Sequence, residues 1–349
     1  MRIRRGTTLA LAVLTAGLLA ATIPGAAQAA AAPTATPLSL PAVSDVVSAG
    51  DRVFVSGGRS STDVVVANAT GAVVGTLSGL PGPTDLLLSA DRQTLYVALP
   101  SANAIAAFNT GTLVESARYD TGAGECPSSL ALTGRYLWFG YGCDQWGGNI
   151  GRIDLGRQPA LVTTGVATGQ DFYGAPLLTA ASQNRSVLLA GQSGLSPASV
   201  YAYTIGAGGA LSAPRENDFM AVGSNLRDIA LDPTGTTVFT ASGSPYKVQA
   251  FPFADISTPS ATYDTGAYPS AVEVSRDGTK IAGGADASYD PDVFLFRADG
   301  TELAHFELND ELSPGALAWA PNGARVYAVS YDWTGSSPVT LHVLPVPAG

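Results

Sequence analysis

Positive charge, imidazoles and thiols are all scarce in this chain. Lys+Arg number 18 against 28 Asp+Glu in 349 residues, giving a formal charge of -10, and the only lysines are Lys247 and Lys280. No basic block follows the first five residues, so a partner held by its phosphates, such as a nucleic acid, is not expected. Charged residues make up 13%, about half the usual share. Even so, beyond the N-terminus no apolar run reaches the ~18 residues that a membrane-spanning helix needs. The two histidines, His305 and His342, fall inside apolar strand-like segments, away from loops where a general base would work. No G-x-S-x-G, H-E-x-x-H or G-x-x-x-x-G-K-[ST] occurs, and the glycine-rich pieces at 122–124 and 206–209 lack dinucleotide spacing.

What is abundant is punctuation: 40 Gly and 23 Pro leave little room for long helices. The N-terminus reads as an export signal over residues 1–29. Arg2, Arg4 and Arg5 are followed by a predominantly apolar stretch from Leu9 to Ala21 and by Ala27-Gln28-Ala29, a small-x-small cleavage pattern. Cleavage after Ala29 predicts a secreted, extracellular, soluble product, and losing three arginines takes the charge from -10 to -13. In an oxidising compartment the only two thiols, Cys126 and Cys143, are expected to pair. A metal site, the competing reading, lacks a nearby histidine.

Internal repetition organises the rest. A Gly-, Asp- or Asn-rich turn followed by an apolar or aromatic strand recurs seven times. Equivalent positions at Phe54, Tyr96, Trp138, Leu188, Phe239, Ala282 and Tyr327 are spaced 42, 42, 50, 51, 43 and 45 residues apart. Each turn has an apolar strand before it, as at Leu86-Leu87-Leu88 or Ile229-Ala230-Leu231, and two more strands after it. Tyr-Asp-Thr-Gly-Ala occurs twice, at Tyr119 and Tyr263, both times where a fourth strand ends. Four short antiparallel strands per repeat, seven times over, predict an all-β, seven-bladed β-propeller. The last repeat supplies only three strands, so Pro37-Leu38-Ser39-Leu40-Pro41 is expected to complete it and close the ring. The domain plan is a short flexible segment, 30–36, and one propeller, 37–349.

The stretch Tyr268-Pro269-Ser270-Ala271-Val272-Glu273-Val274-Ser275-Arg276-Asp277-Gly278 resembles the YVTN/WD40-like seven-bladed propellers of secreted, actinobacterial-type bacterial proteins. The resemblance spans residues 37 to 349 and implies a fold more than a function. In such a ring the loops from second to third strand and those between blades share one face. Sorting this sequence by that rule gathers Tyr141, Asp144, Trp146, Phe172, Tyr289, Asp290 and Trp333 there, together with both cysteines. Aromatic faces stack on sugar rings or clamp peptides, and carboxylates bind hydroxyls or cations. The expectation is a non-catalytic binding or scaffold module, monomeric, for a glycan, peptide, protein or surface polymer. The competing reading is an extracellular hydrolase or lactonase-like enzyme using a metal or carboxylates in the channel. No cofactor is expected. Calcium at the Asp286, Asp290, Asp292 group would lack the spacing of an EF-hand loop, which makes a solvated loop the simpler reading. Asp45, Asp85 and Asp228, at the starts of first strands, are expected to accept backbone N–H bonds.

Overall fold

The computed structural model describes residues 32–287, 291–308 and 310–347, so the expected export signal lies outside it. Seven four-stranded antiparallel sheets follow one another around a ring, and no α-helix occurs among the described residues. The innermost strands are Asp45–Ala49, Leu86–Leu88, Pro127–Thr133, Leu177–Thr179, Ser224–Leu231, Pro269–Val274 and Glu311–Trp319, for blades 1 to 7 in order. Within each blade consecutive strands pair outward as hairpins, so every ladder but the outermost one of blade 7 is local in sequence. That explains the constant register of the repeat.

Second and third strands are rich in Val, Ile, Phe and Ala, and they are buried on both faces. A strand sandwiched between neighbouring sheets shows no polar alternation. The buried apolar residues accordingly form no common centre. They divide into clusters that each fill the gap between two adjacent blades, from blades 1 and 2 (Phe54, Val66, Leu95, Val97) round to blades 7 and 1 (Val53, Val65, Tyr327, Leu341). Close packing between paired strands within blade 3 requires glycine at one position: a Cβ on Gly151 would collide with the ring of its strand partner Phe139.

The ring closes through an N-terminal strand, but upstream of the expected place. Thr34–Pro37 pairs antiparallel with Thr340–Pro345, the third strand of blade 7, in the register Thr34↔Val343 to Pro37↔Thr340. Leu38 N–H then donates to Val339 O at 2.8 Å, and the Leu38 and Leu40 side chains are buried. Residues 34–36 are therefore an outer strand rather than part of a flexible lead. Their mostly exposed sequence offers no apolar rhythm by which to find them.

The two long intervals also have a structural cause. The segment between blades 3 and 4 folds back, and Phe172–Tyr173 pairs with Trp146 and Gly148 as a fifth short strand on blade 3. Further insertions, from Ile205 to Gly223, flank the outer strand of blade 4.

Candidate functional site

Strand direction defines two faces. The upper face carries the loops from second to third strands and the loops between blades. The lower carries the turns from first to second strands. All exposed aromatics among the described residues stand in the upper loops: Trp146, Tyr173, Phe219, Tyr246, Tyr268 and Trp333, with exposed Met220 beside Phe219. The remaining exposed large apolar residues, Val73, Val74, Val114 and Leu161, lie in or next to outer strands.

The aromatics are organised. Trp146 and Tyr173 meet edge to face with centroids 5.7 Å apart, and Tyr246 and Tyr268 do the same at 5.3 Å. Each pair joins a loop within a blade, 3 or 5, to the loop that leaves it. Tyr268 and Met220 hold positive φ, 57° and 64°, a conformation costing an L-residue roughly 1 kcal/mol. Bonds from the frame to this face are specific: Gln192 Oε1 accepts from Tyr173 N–H at 2.8 Å while its Nε2 donates to Tyr173 O at 2.9 Å. Cys126 and Cys143 form a disulfide, Cα atoms 5.3 Å apart, that joins two upper loops.

Of the residues expected on this face, Trp146 is 60% and Trp333 73% exposed. Asp144 is exposed as well, at φ 55°, with its carboxylate 3.7 Å from the Arg59 guanidinium. Two others must be withdrawn. Phe172 is buried against Tyr201, and Tyr141 is buried with its hydroxyl accepting Gly165 N–H at 2.9 Å. The insertion at 164–174 meets Tyr141 through Gly165 and carries its own Phe172 into the gap between blades 3 and 4. Tyr289 and Asp290 lie outside the described residues. Tyr173, Tyr246 and Tyr268 were not singled out in the sequence, although their position in the same two loop classes would have found them.

Beside Trp333 is a cavity of about 210 Å³ walled by Asp292, Glu307, Asp310, Glu311 and Tyr331. Asp292 is no solvated loop residue. It is buried, accepts Leu308 N–H at 2.7 Å, and is pushed up to about 7 by burial and then, past the opposing effect of its backbone bonds, by Glu307 and Glu311. Among the described residues no set of three or more His, Cys, Asp or Glu side chains is arranged to hold a metal ion.

The central channel, a cavity of about 490 Å³, is lined by the inner strands and holds Asp45, Asp85, Asp228 and Glu273. Three of these clasp neighbouring blades. Asp45 accepts Val46 N–H and, across to blade 2, Leu86 N–H, both at 2.7 Å. Asp85 accepts Leu130 N–H of blade 3 at 2.6 Å, and Asp228 accepts Val272 N–H of blade 6 at 2.8 Å. Blade 3 uses a serine for the same purpose, Ser129 Oγ accepting Leu178 N–H at 2.9 Å. Burial raises all four carboxyls: Asp85 to about 6, Asp228 to about 7, Glu273 to about 8, and Asp45 well above its usual range, with Asp85 adding to the burial effect. The expected turn role of the aspartates thus extends to stapling one blade to the next.

The imidazoles belong to the frame. His342 is buried with Nε2 2.9 Å from Ser330 Oγ, and burial holds it down to about 4. Neither residue lines a described cavity. His305 lies on an outer strand, 2.7 Å from Glu302.

These features define a WD40-like seven-bladed β-propeller. The chain is similar in structure to one in a crystal structure of the mitotic checkpoint complex, with 14% identity, 97% of this chain and 99% of that one covered, and a TM-score of 0.67. No protein-family model matches the sequence, and no curated protein is similar to it.

Proposed function

We propose that this protein is a non-catalytic binding or scaffold module that engages its ligand through the upper face. The observation that carries the reading is the placement of the exposed aromatics, all on that face and two pairs of them held edge to face. An aromatic left in water gives up favourable burial, and a patch of them marks an interaction site. The checkpoint-complex neighbour, a propeller within a protein assembly, is compatible with this role. The leader at residues 1–29 makes the site extracellular in this reading, after cleavage behind Ala29. A combined glycan and peptide array is the test. Hits that weaken for Trp146→Ala and Trp333→Ala support the upper face; hits unchanged in both variants exclude it.

A second reading rests on Glu273. Its carboxyl lines the channel beside Asp228 and is raised to about 8 by burial and then by Asp228, which is what a general acid in a carboxylate hydrolase requires. Hydrolysis of any library glycoside or lactone that Glu273→Gln abolishes would establish it.

A further inference from the structure

We infer that the upper face takes a cationic polypeptide segment, one whose Lys or Arg side chains lie across the aromatic platforms. This rests on the binding reading and narrows it. The first argument is charge. Of the cations after the leader, only Arg59, Arg227 and Lys247 belong to the upper loops or the upper channel wall, and Arg59 already faces Asp144. Arg52, Arg92, Arg135, Arg185, Arg276 and Arg325 all sit in or beside the lower turns. The upper loops meanwhile carry Asp144, Asp171, Asp218, Asp264, Glu307 and Asp332, of which, among the described residues, only Asp144 has an ion-pair partner. The two faces of one ring therefore differ sharply in potential, and the aromatic one is negative. A partner matched to it is positive.

The second argument is adjacency. Exposed aromatics and acids alternate in the same loops: Asp144 with Trp146, Asp171 with Tyr173, Asp218 with Phe219, Asp332 with Trp333. A cation placed over a ring gains from the negative π face, and a carboxylate one or two residues away adds a charge-assisted bond. Neutral sugars use the ring but have no need of the net charge. The acid-walled cavity beside Trp333 offers one long basic side chain a slot. The two edge-to-face pairs, with Phe219 and Met220 in the loop between them, make an arc over blades 3 to 6 that suits an extended chain rather than a single small cation.

The test is fluorescence anisotropy on the disulfide-bonded chain 30–349 with a labelled Lys/Arg-rich 20-residue peptide, a neutral Ser/Thr peptide of equal length and a neutral β-glucan oligosaccharide. The basic peptide alone is expected to bind, and to weaken at least tenfold between about 0.05 and 0.3 M salt. The double substitutions Trp146→Ala/Tyr173→Ala and Tyr246→Ala/Tyr268→Ala leave charge unaltered, and each is expected to weaken binding about tenfold, with thermal midpoints unchanged because these rings are exposed. Asp171→Asn/Asp218→Asn is expected to flatten the salt dependence. Salt-insensitive binding of the oligosaccharide or neutral peptide, without the basic one, overturns the cationic inference and leaves the binding reading standing. Basic-peptide binding indifferent to both aromatic pairs overturns it too, as bulk attraction. Absence of binding by all three probes, together with an empty array, overturns both.

Discussion

Trp138 and Trp146 stand on neighbouring strands of blade 3 and have opposite fates. Trp138 is wholly buried in the gap to blade 4, with Nε1 donating to Thr133 Oγ1 at 2.6 Å. Trp146 opens onto the upper face. Trp138→Ala is expected to cost about 3–5 kcal/mol, whereas Trp146→Ala should remain within about 0.5 kcal/mol of the parent; urea unfolding of the two variants checks both. The sequence allowed this contrast to be read, because Trp138 lies on a second strand in register with the repeat and Trp146 lies at the upper, loop end of the third. Tyr141 and Phe172 looked equally loop-borne. The 164–174 insertion bonds the Tyr141 hydroxyl through Gly165 and packs its own Phe172 against Tyr201 of blade 4, and a loop that folds back in this way leaves no period in the sequence.

At the scale of elements, closure and cross-linking are separable. The ribbon Thr34–Pro37 contributes a ladder of backbone bonds, and Leu38 and Leu40 add two buried side chains, each worth about 1.5–3 kcal/mol on transfer from water. Removing residues 32–40 is therefore expected to destabilise the entire ring by at least about 3 kcal/mol, lowering the midpoint of a single calorimetric transition. Melting unchanged from the parent would mean that the ring does not depend on closure. The disulfide spans a sequence separation of 17, and a loop of that size stabilises by about 3 kcal/mol. Cys126→Ser/Cys143→Ser should lose about that much, and it should loosen the upper loops first, seen as faster amide exchange there than in the strands.

For the whole molecule, the titratable groups of the interior set a pH dependence. Asp85, Asp228, Glu273 and Asp292 all protonate more readily folded than unfolded. From about pH 4 to pH 8 the folded state then holds more protons, and stability declines as pH rises through that window. His342 acts in the opposite sense: neutral when folded down to about pH 4, it withdraws stability as pH falls below about 6.5. The four carboxyls outweigh the single imidazole, so the midpoint of thermal unfolding should fall steadily as pH rises from about 4–5 toward pH 8. Glu273→Gln removes a carboxyl that burial raises to about 8, so the variant should gain on the parent at pH 8 and come close to it at pH 5. Equal gains at both values would mean that Glu273 is not held protonated by the fold.

The number of blades, the order of their strands, the register of their hairpins and the crowding of cations toward one set of turns are all legible in the amino-acid sequence. Each follows from local periodicity and from charges placed at fixed points of a repeat. Tertiary structure alone decided which loop rings stay in water, that Asp45, Asp85 and Asp228 reach the backbone of the next blade, and that the closing strand begins at Thr34. Those outcomes depend on contacts between segments far apart in the chain, and such contacts impose no spacing on the residues that make them.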